Sequence, residues 1–252
     1  MADYQFIGSE IQKNCGIITL NRPQVLNAIN VAMIQELAEQ IYDFENDESV
    51  KTIILRGGDK AFAAGIDTKE MFCALEEQSF DVENYNMVFT VLQNCQKPVL
   101  AEVSGYALGI GFEIVLACDI ILAADDAKFG QPEITLGIIP GFGAISRLLN
   151  FAGKAQMMDM VMSGKALNAE EAFSLGLISR IVPLKDLHDE TLSLAVKIGA
   201  MSENAISAIK QCCNFSLRNP MNGGIEYEKM MVKSLTDSLE FREKLKNFLT
   251  KA

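Results

Sequence analysis

KPVLAEVSGYALGIGFEIVLACDIILA, residues Lys97 to Ala123, carries the reading of the fold. Lys97-Pro98 opens an apolar run, Val99 to Val103, that reads as a buried strand and stops at Ser104-Gly105. Ile110 to Ala117 is apolar at helical length, and Asp119 to Ala123 reads as the next strand. Working outward, Gly16 to Leu20 is a short buried strand closed by Asn21-Arg22-Pro23. Val31 to Phe44 places Met33, Ile34, Leu37, Ile41 and Phe44 at helical spacing. Thr52 to Arg56 is a further strand, stopped by Gly57-Gly58. Strands alternating with helices across short turns predict an α/β layer architecture with largely parallel pairing. Past Gly141 the texture changes. Ala144 to Phe151, Ala155 to Ser163 and Ala169 to Leu175 read as helices, and Ile178 to Val182 as one more short strand. From Leu187 onward the pattern is helical, interrupted at Asn219-Pro220 and Gly223-Gly224. Its Met and Leu stripes read as core or subunit contacts.

The chain has 252 residues, enough for one large domain or one domain with an appendage, and no internal repeat. Twenty-two Lys and Arg against 33 Asp and Glu give a net charge of −11, which argues against broad nucleic-acid or anionic-membrane binding. A polyanionic ligand must then meet a local basic cluster. The single histidine, His188, excludes His-rich metal sites, and in the charged stretch Lys185-Asp186-Leu187-His188-Asp189 it reads as a solvated surface residue. Six cysteines without a CxxC pair read as free thiols of a reducing cytosol. Met1 to Gln5 reads as neither a secretory leader nor a transit peptide. The most apolar stretch, Ile110 to Ala124, contains Glu113 and Asp119 and is too short to span a bilayer. The expectation is a cytoplasmic protein.

The usual chemical signatures are missing. There is no phosphate loop, no HExxH and no GxSxG, and Gly109-Ile110-Gly111 lacks the dinucleotide spacing. Acid–base work therefore falls on other groups. Glu113 lies in an otherwise apolar helix start, and Glu133 in Phe129-Gly130-Gln131-Pro132-Glu133-Ile134 is ringed by apolar and small residues. Such surroundings raise a carboxylate's pKa toward neutrality, and two carboxyls can divide the roles of acid and base. A helix cap or a lysine partner is the alternative for each. Gly105-Tyr106-Ala107-Leu108-Gly109-Ile110-Gly111 follows a strand and precedes a helix, where backbone N–H groups face outward. Ala61-Phe62-Ala63-Ala64-Gly65-Ile66-Asp67 is a second such turn. Two turns that each offer an N–H form an oxyanion hole when they meet.

These blocks, in this order and spacing, resemble the crotonase superfamily, the enoyl-CoA hydratase/isomerase family, over essentially the whole chain. Asn21-Arg22-Pro23 with Asn27-Ala28, Lys97-Pro98, Cys118-Asp119-Ile120, Gly137 to Gly141 and Gly176-Leu177 complete the match. The resemblance implies a spiral of ββα units over residues 1–190. It also implies a helical region, 191–252, that serves assembly and part of the CoA site, in trimers or dimers of trimers. It implies an acyl-CoA thioester substrate whose enolate-like oxygen is held by the backbone N–H groups of Ile66 and Ile110. Family hydratases use two glutamates, which match Glu113 and Glu133, twenty residues apart. Isomerases commonly keep one, so retention of both favours reversible syn hydration of a trans-2-enoyl-CoA over isomerisation. An acyl-CoA-binding protein of the same fold is the remaining alternative. Glu113 would activate the water and Glu133 would protonate C2, with no metal and no redox cofactor. The matching blocks place Ala61, Ala63, Ala64, Gly65, Asp67, Tyr106, Gly109, Pro132 and Gly141 against substrate. Lys251, Arg22 and Lys60 are the candidates for the CoA phosphates.

Two departures stand out. Ile110 replaces a usual glycine, and its side chain either crowds the thioester or turns into the helix packing. Glu240 to Lys244 replaces the family's usual Glu-Gly pattern. Phe72, Phe80, Met87 and Phe142 are candidate walls of the acyl pocket, with residues 71–90 expected as a mobile segment.

Overall fold

The computed structural model describes residues 4–219 and 221–250. The chain divides into two compact units, Met1–Ala200 and Met201–Ala252. In the first, β1 (Ile7–Gln12) and β2 (Cys15–Leu20) form a hairpin, and α1 (Val31–Asn46) leads to β3 (Thr52–Arg56) and β4 (Ala61–Ala63). Helices α2 (Thr68–Glu76) and α3 (Met87–Asn94) lead to β5 (Val99–Val103) and β6 (Tyr106–Leu108). Helix α4 (Ile110–Ala117) leads to β7 (Ile120–Ala124) and β8 (Lys128–Gly130). Then come α5 (Ala144–Ser163), β9 (Leu167–Asn168), α6 (Ala169–Ser174), β10 (Arg180–Val182) and α7 (Leu187–Gly199). The second unit holds α8 (Glu203–Ser216), α9 (Met221–Thr236) and α10 (Leu239–Leu249).

The repeating step is two strands and a helix. Both strands of the first pair, the first strands β3, β5 and β7 of the next three, and the last strand β10 form a six-stranded sheet, in the order β1-β2-β3-β5-β7-β10. The second strands β4, β6 and β8, with β9, form a four-stranded sheet, in the order β4-β6-β8-β9. Among the strands of the described residues, β1 with β2 and β8 with β9 pair antiparallel and the rest pair parallel. This is the expected α/β spiral of ββα units. The central strands read as unbroken apolar runs because both faces of the large sheet are covered. Ile53, Leu55, Val99, Ala101 and Val103 join the main core with α1, α3 and α4. Their alternates Ile54 and Leu100 face α7 through Leu187, Leu192 and Ala195. Residue 190 lies inside α7, and that helix belongs with the sheet.

Several elements escape the sequence pattern. The three-residue strands β4, β6 and β8 lie within glycine-rich blocks that read as turns. Residues 71–90 include most of α2, a short 3-10 turn at Val82–Tyr85 and the start of α3, with Tyr85, Val88 and Phe89 buried. Helix α5 runs through both predicted helices but breaks at Gly153 (φ 74°, ψ 169°), between them.

His188 stays partly exposed, at 32%, but it is held by partners and is not a free surface residue. It is the second residue of α7, and its Nδ1 is 2.9 Å from Oε2 of the buried Glu102 on β5 and 2.9 Å from Nη1 of Arg56 on β3. Docking α7 on the sheet carries His188 onto the strand ends, which the local charged sequence does not reveal. Among the described residues no cysteine is in a disulfide; Cys15 and Cys95 are buried and Cys73 and Cys213 exposed. Among the described residues no helix is long and apolar enough to cross a membrane.

Where β5 gives way to β6 the backbone turns through Gly105 (φ 57°), and a Cβ there would fall on the Lys60 carbonyl group. The same carbonyl accepts from Tyr106 N at 3.2 Å, so β4 and β6 meet at this point. Gly105→Ala is expected to cost about 3 kcal/mol or more through backbone strain and displacement of Lys60. Equilibrium urea unfolding reads this as a lowered midpoint at unchanged slope.

Candidate functional site

Glu113 is the only acid on α4, whose neighbours Ile110, Phe112, Ile114, Val115 and Leu116 are all buried. It is itself 1% exposed. A buried carboxylate requires donors. Its Oε1 accepts from Phe142 N at 2.7 Å and from Ala144 N at 3.0 Å, where the chain enters α5. Burial raises its pKa, and the two N–H groups and the charge of Arg147 act against that rise.

Glu133 stands in the 3-10 turn Pro132–Leu136, directly after β8. Burial, helped by the Glu113 charge, pushes its pKa up to about 7. The buried Gln131, with its amide nitrogen turned to the carboxylate, donates at 3.0 Å to Oε1 and 3.1 Å to Oε2. Gln131 lies within a recognised block, but its link to Glu133 has no signal in the spacing. A Cβ on Gly109 would stand 2.8 Å from Glu133 Oε1, so this carboxylate lies against the glycine that opens α4. Two carboxyls thus share one site, both biased toward the neutral form and differing in what holds them, backbone N–H groups for Glu113 and a side-chain amide for Glu133.

The backbone donors come from the two turns. Ile29 N donates to Gly65 O and Asp67 N to Ile29 O, each at 2.8 Å. This bridge uses the groups flanking Ile66 and leaves the Ile66 N–H directed away from Ile29. Ile110 is the first residue of α4, so its N–H has no carbonyl one turn earlier. The turns are adjacent: a Cβ on Gly109 would be 3.6 Å from Gly65 Cα, and one on Gly111 would be 2.6 Å from Ala63 Cβ. Ile110 is 1% exposed within the main core, so its side chain turns into the helix packing.

The Asn21–Ala28 segment holds the first turn. Asn27, 2% exposed, donates from Nδ2 to the carbonyls of Ala61 and Phe62, both at 3.1 Å, and Ala64 N donates to Leu26 O at 3.0 Å. Arg22 donates from Nη2 to Asp67 Oδ2 at 2.8 Å and from Nη1 to Ala28 O at 2.6 Å. The arginine and its carboxylate partner are 14% and 16% exposed, so both are occupied in bracing this turn. Asp67 also caps α2, accepting from Lys69 N and Glu70 N. Lys60 and Tyr106 are exposed at the ends of β4 and β6, Ala61 and Ala63 are buried in β4, and Pro132 is half-buried. Gly141 is exposed, one residue before the Phe142 N–H that meets Glu113. Lys251 lies outside the described residues. Of the candidate pocket walls, Phe142 stacks on Phe89 (5.2 Å, 2°), and Phe80 and Phe142 both lie near Tyr85. Phe72 and Met87 are exposed, at 64% and 45%. Among the described residues no cluster of His, Cys, Asp and Glu fits a metal ion.

A family model described as enoyl-CoA hydratase/isomerase matches residues 10–252. The chain belongs to the enoyl-CoA hydratase/isomerase family. A probable enoyl-CoA hydratase of Rhizobium meliloti (strain 1021) is 41% identical, over 98% of this chain and 96% of the relative. A mitochondrial enoyl-CoA hydratase of Pongo abelii is 38% identical, over 99% of this chain and 87% of that protein. The crystal structure of an enoyl-CoA hydratase from Bacillus anthracis superposes with a TM-score of 0.91 at 30% identity, covering 98% of this chain and 97% of that one. The match spans the spiral and the helical tail alike, so the turns and both glutamates lie inside the family region.

Proposed function

We propose that this member of the family is an enoyl-CoA hydratase, adding water reversibly and syn across a trans-2-enoyl-CoA to give a 3-hydroxyacyl-CoA. The observation that carries the reading is the pair of carboxyls, buried Glu113 and half-buried Glu133, beside two adjacent turns that present the Ile66 and Ile110 N–H groups. In the forward step ionised Glu113 takes a proton from water as the oxygen attacks C3. Electrons move through C2 into the thioester carbonyl, whose oxygen is held by Ile66 N–H and Ile110 N–H. Each such donor contributes about 3–4 kcal/mol to the barrier in comparable sites. Neutral Glu133 delivers its proton to C2, and proton exchange between the two carboxyls resets the site. Every proton is supplied by water or a glutamate, so the reaction as written needs no metal or redox cofactor.

In this reading the exposed Lys60 meets the CoA phosphates, while Arg22 acts indirectly by bracing Asp67. Self-association into a trimer or a dimer of trimers in the cytoplasm completes the proposal. Exposed apolar residues such as Met221, Met230 and Val232 on α9 support it.

The deciding experiment is turnover of crotonyl-CoA, followed as loss of the conjugated enoyl-thioester absorbance. Turnover is expected. Faster conversion of a 3-enoyl than of a 2-enoyl substrate would replace hydratase by isomerase, and binding of CoA without turnover would leave a binding protein. The pH profile gives a second readout. Glu113 must be ionised, so kcat/KM rises as pH passes through its raised pKa. Glu133 must be protonated, so kcat/KM falls above about pH 7. The two limbs belong to the coupled pair and not to either glutamate alone. A profile flat from pH 5 to 9 would contradict this division of roles.

A further inference from the structure

Glu113 is held by backbone groups, and backbone groups hold a carboxylate only as firmly as their own segment is held. Both donors, Phe142 N and Ala144 N, belong to the residues that lead from the exposed Gly141 into α5. Arg147, in the first turns of α5, reaches back over them. Its Nη1 donates to the Phe142 carbonyl oxygen at 2.7 Å. Its guanidinium carbon lies 6.0 Å from the centroid of the Phe89 ring, the same ring that stacks on Phe142. A Cβ on Gly143 would strike the guanidinium, so the residue between the two donors leaves the side chain its path. The Phe142 residue is thereby gripped at three places: its N–H by Glu113, its carbonyl by Arg147 and its ring by Phe89. Phe89 is on α3, so the grip ties three elements, α3, α4 and α5, to one carboxylate.

We propose that Arg147 is a positioning residue for Glu113: it fixes Phe142, whose N–H aims the base. Its charge also favours the ionised form of Glu113. This inference rests on the reading of Glu113 as the catalytic base. A charge-assisted hydrogen bond to a carbonyl is among the stronger neutral-partner bonds, and here it holds the Phe142–Gly143 peptide, which lies between the two peptides that carry the Phe142 and Ala144 N–H groups. The geometry also asks for arginine in particular, because a planar guanidinium can lie over a ring while it donates in its own plane. Arg147 on α5 and Glu133 on the turn after β8 are the titratable or charged groups that face Glu113: the Arg147 charge favours its ionised form, and the Glu113 charge in turn favours a neutral Glu133.

The test compares Arg147→Met, Arg147→Lys and Glu113→Gln with the parent enzyme on crotonyl-CoA, reading kcat, KM and the acid limb of the kcat profile. For Arg147→Met, kcat is expected to fall roughly 10- to 100-fold, the scale of a misplaced catalytic group, with KM within about 3-fold. Loss of the cation also moves the acid limb to higher pH, since an ionised Glu113 is less favoured. Arg147→Lys keeps the charge, so its limb stays in place while kcat still falls. An unchanged kcat in Arg147→Met overturns the inference. A fall in kcat with an unmoved limb overturns it too, since that assigns Arg147 to packing alone. If Arg147→Met does not fold, Arg147→Lys decides: reduced kcat at unchanged KM supports the inference and parental kcat overturns it. If Glu113→Gln keeps parental turnover, the base assignment has failed and this inference falls with it. If Glu113→Gln is inactive while Arg147→Met behaves as the parent, only the role of Arg147 is lost.

Discussion

Glu113→Gln is expected to remain folded and to lose about three to four orders of magnitude in kcat, the upper range for a general base. The amide oxygen still accepts from Phe142 N and Ala144 N, which sit at 2.7 and 3.0 Å from the present carboxylate oxygen. The substitution also removes a buried charge, so the fold gains at least as much as it loses locally. What disappears is the lone pair that takes the proton from water. Glu133→Gln is expected to lose a similar amount for the opposite reason, since an amide has no acid proton to deliver to C2. Because both residues act in one reaction, the double variant should be little worse than either single one. Single-turnover measurements with crotonyl-CoA, alongside circular dichroism of each variant, check this. Turnover within tenfold of the parent in both single variants would remove the two-carboxylate mechanism.

The sequence carries the skeleton of this site more clearly than its supports. Strands β3 and β5 are legible because burial on both faces demands unbroken apolar runs, and glycines mark their ends. Glu113 and Glu133 are legible because an acid within apolar sequence is costly and therefore conspicuous. Helix α7 is read as helical, but the partner of His188 is not legible: Glu102 lies 86 residues earlier and meets it only after the helix docks on the sheet. Strands β4, β6 and β8 are hidden for a different reason. Each is three residues long, too short to show a period of two, and each is embedded in the small-residue blocks that build the turns. The bracing of the oxyanion turn by Asn27 and Arg22, and of Glu113 by Arg147, is likewise non-local. Asn27 reaches carbonyls 34 and 35 residues away, and no local pattern distinguishes such an asparagine from an ordinary turn residue. The resemblance to a family supplies the positions of both donors, whereas the fate of the Ile110 side chain follows only from its burial in the core.

Gly109→Ala is expected to lose about two to three orders of magnitude in kcat/KM while the fold survives, although the change is one methyl group. Gly109 has φ 52° and ψ −131°, a conformation that an L side chain adopts only under strain, so the turn either relaxes or stores about 1–3 kcal/mol. Relaxation rotates the peptide that carries the Ile110 N–H, one of the two oxyanion donors. The added Cβ also stands 2.8 Å from Glu133 Oε1, and the end of a glutamate yields more readily than backbone. The carboxylate therefore moves off the position from which it protonates C2. These two routes are separable. If displacement of Glu133 were the whole effect, Gly109→Ala combined with Glu133→Gln would match Glu133→Gln alone, because there is no proton donor left to misplace. A further loss in the double variant measures the oxyanion donor by itself. That residual is expected to be about tenfold or more, since a displaced N–H loses much of what a deleted one loses. Parental kcat/KM in Gly109→Ala would mean that neither Glu133 nor Ile110 N–H is placed by this turn.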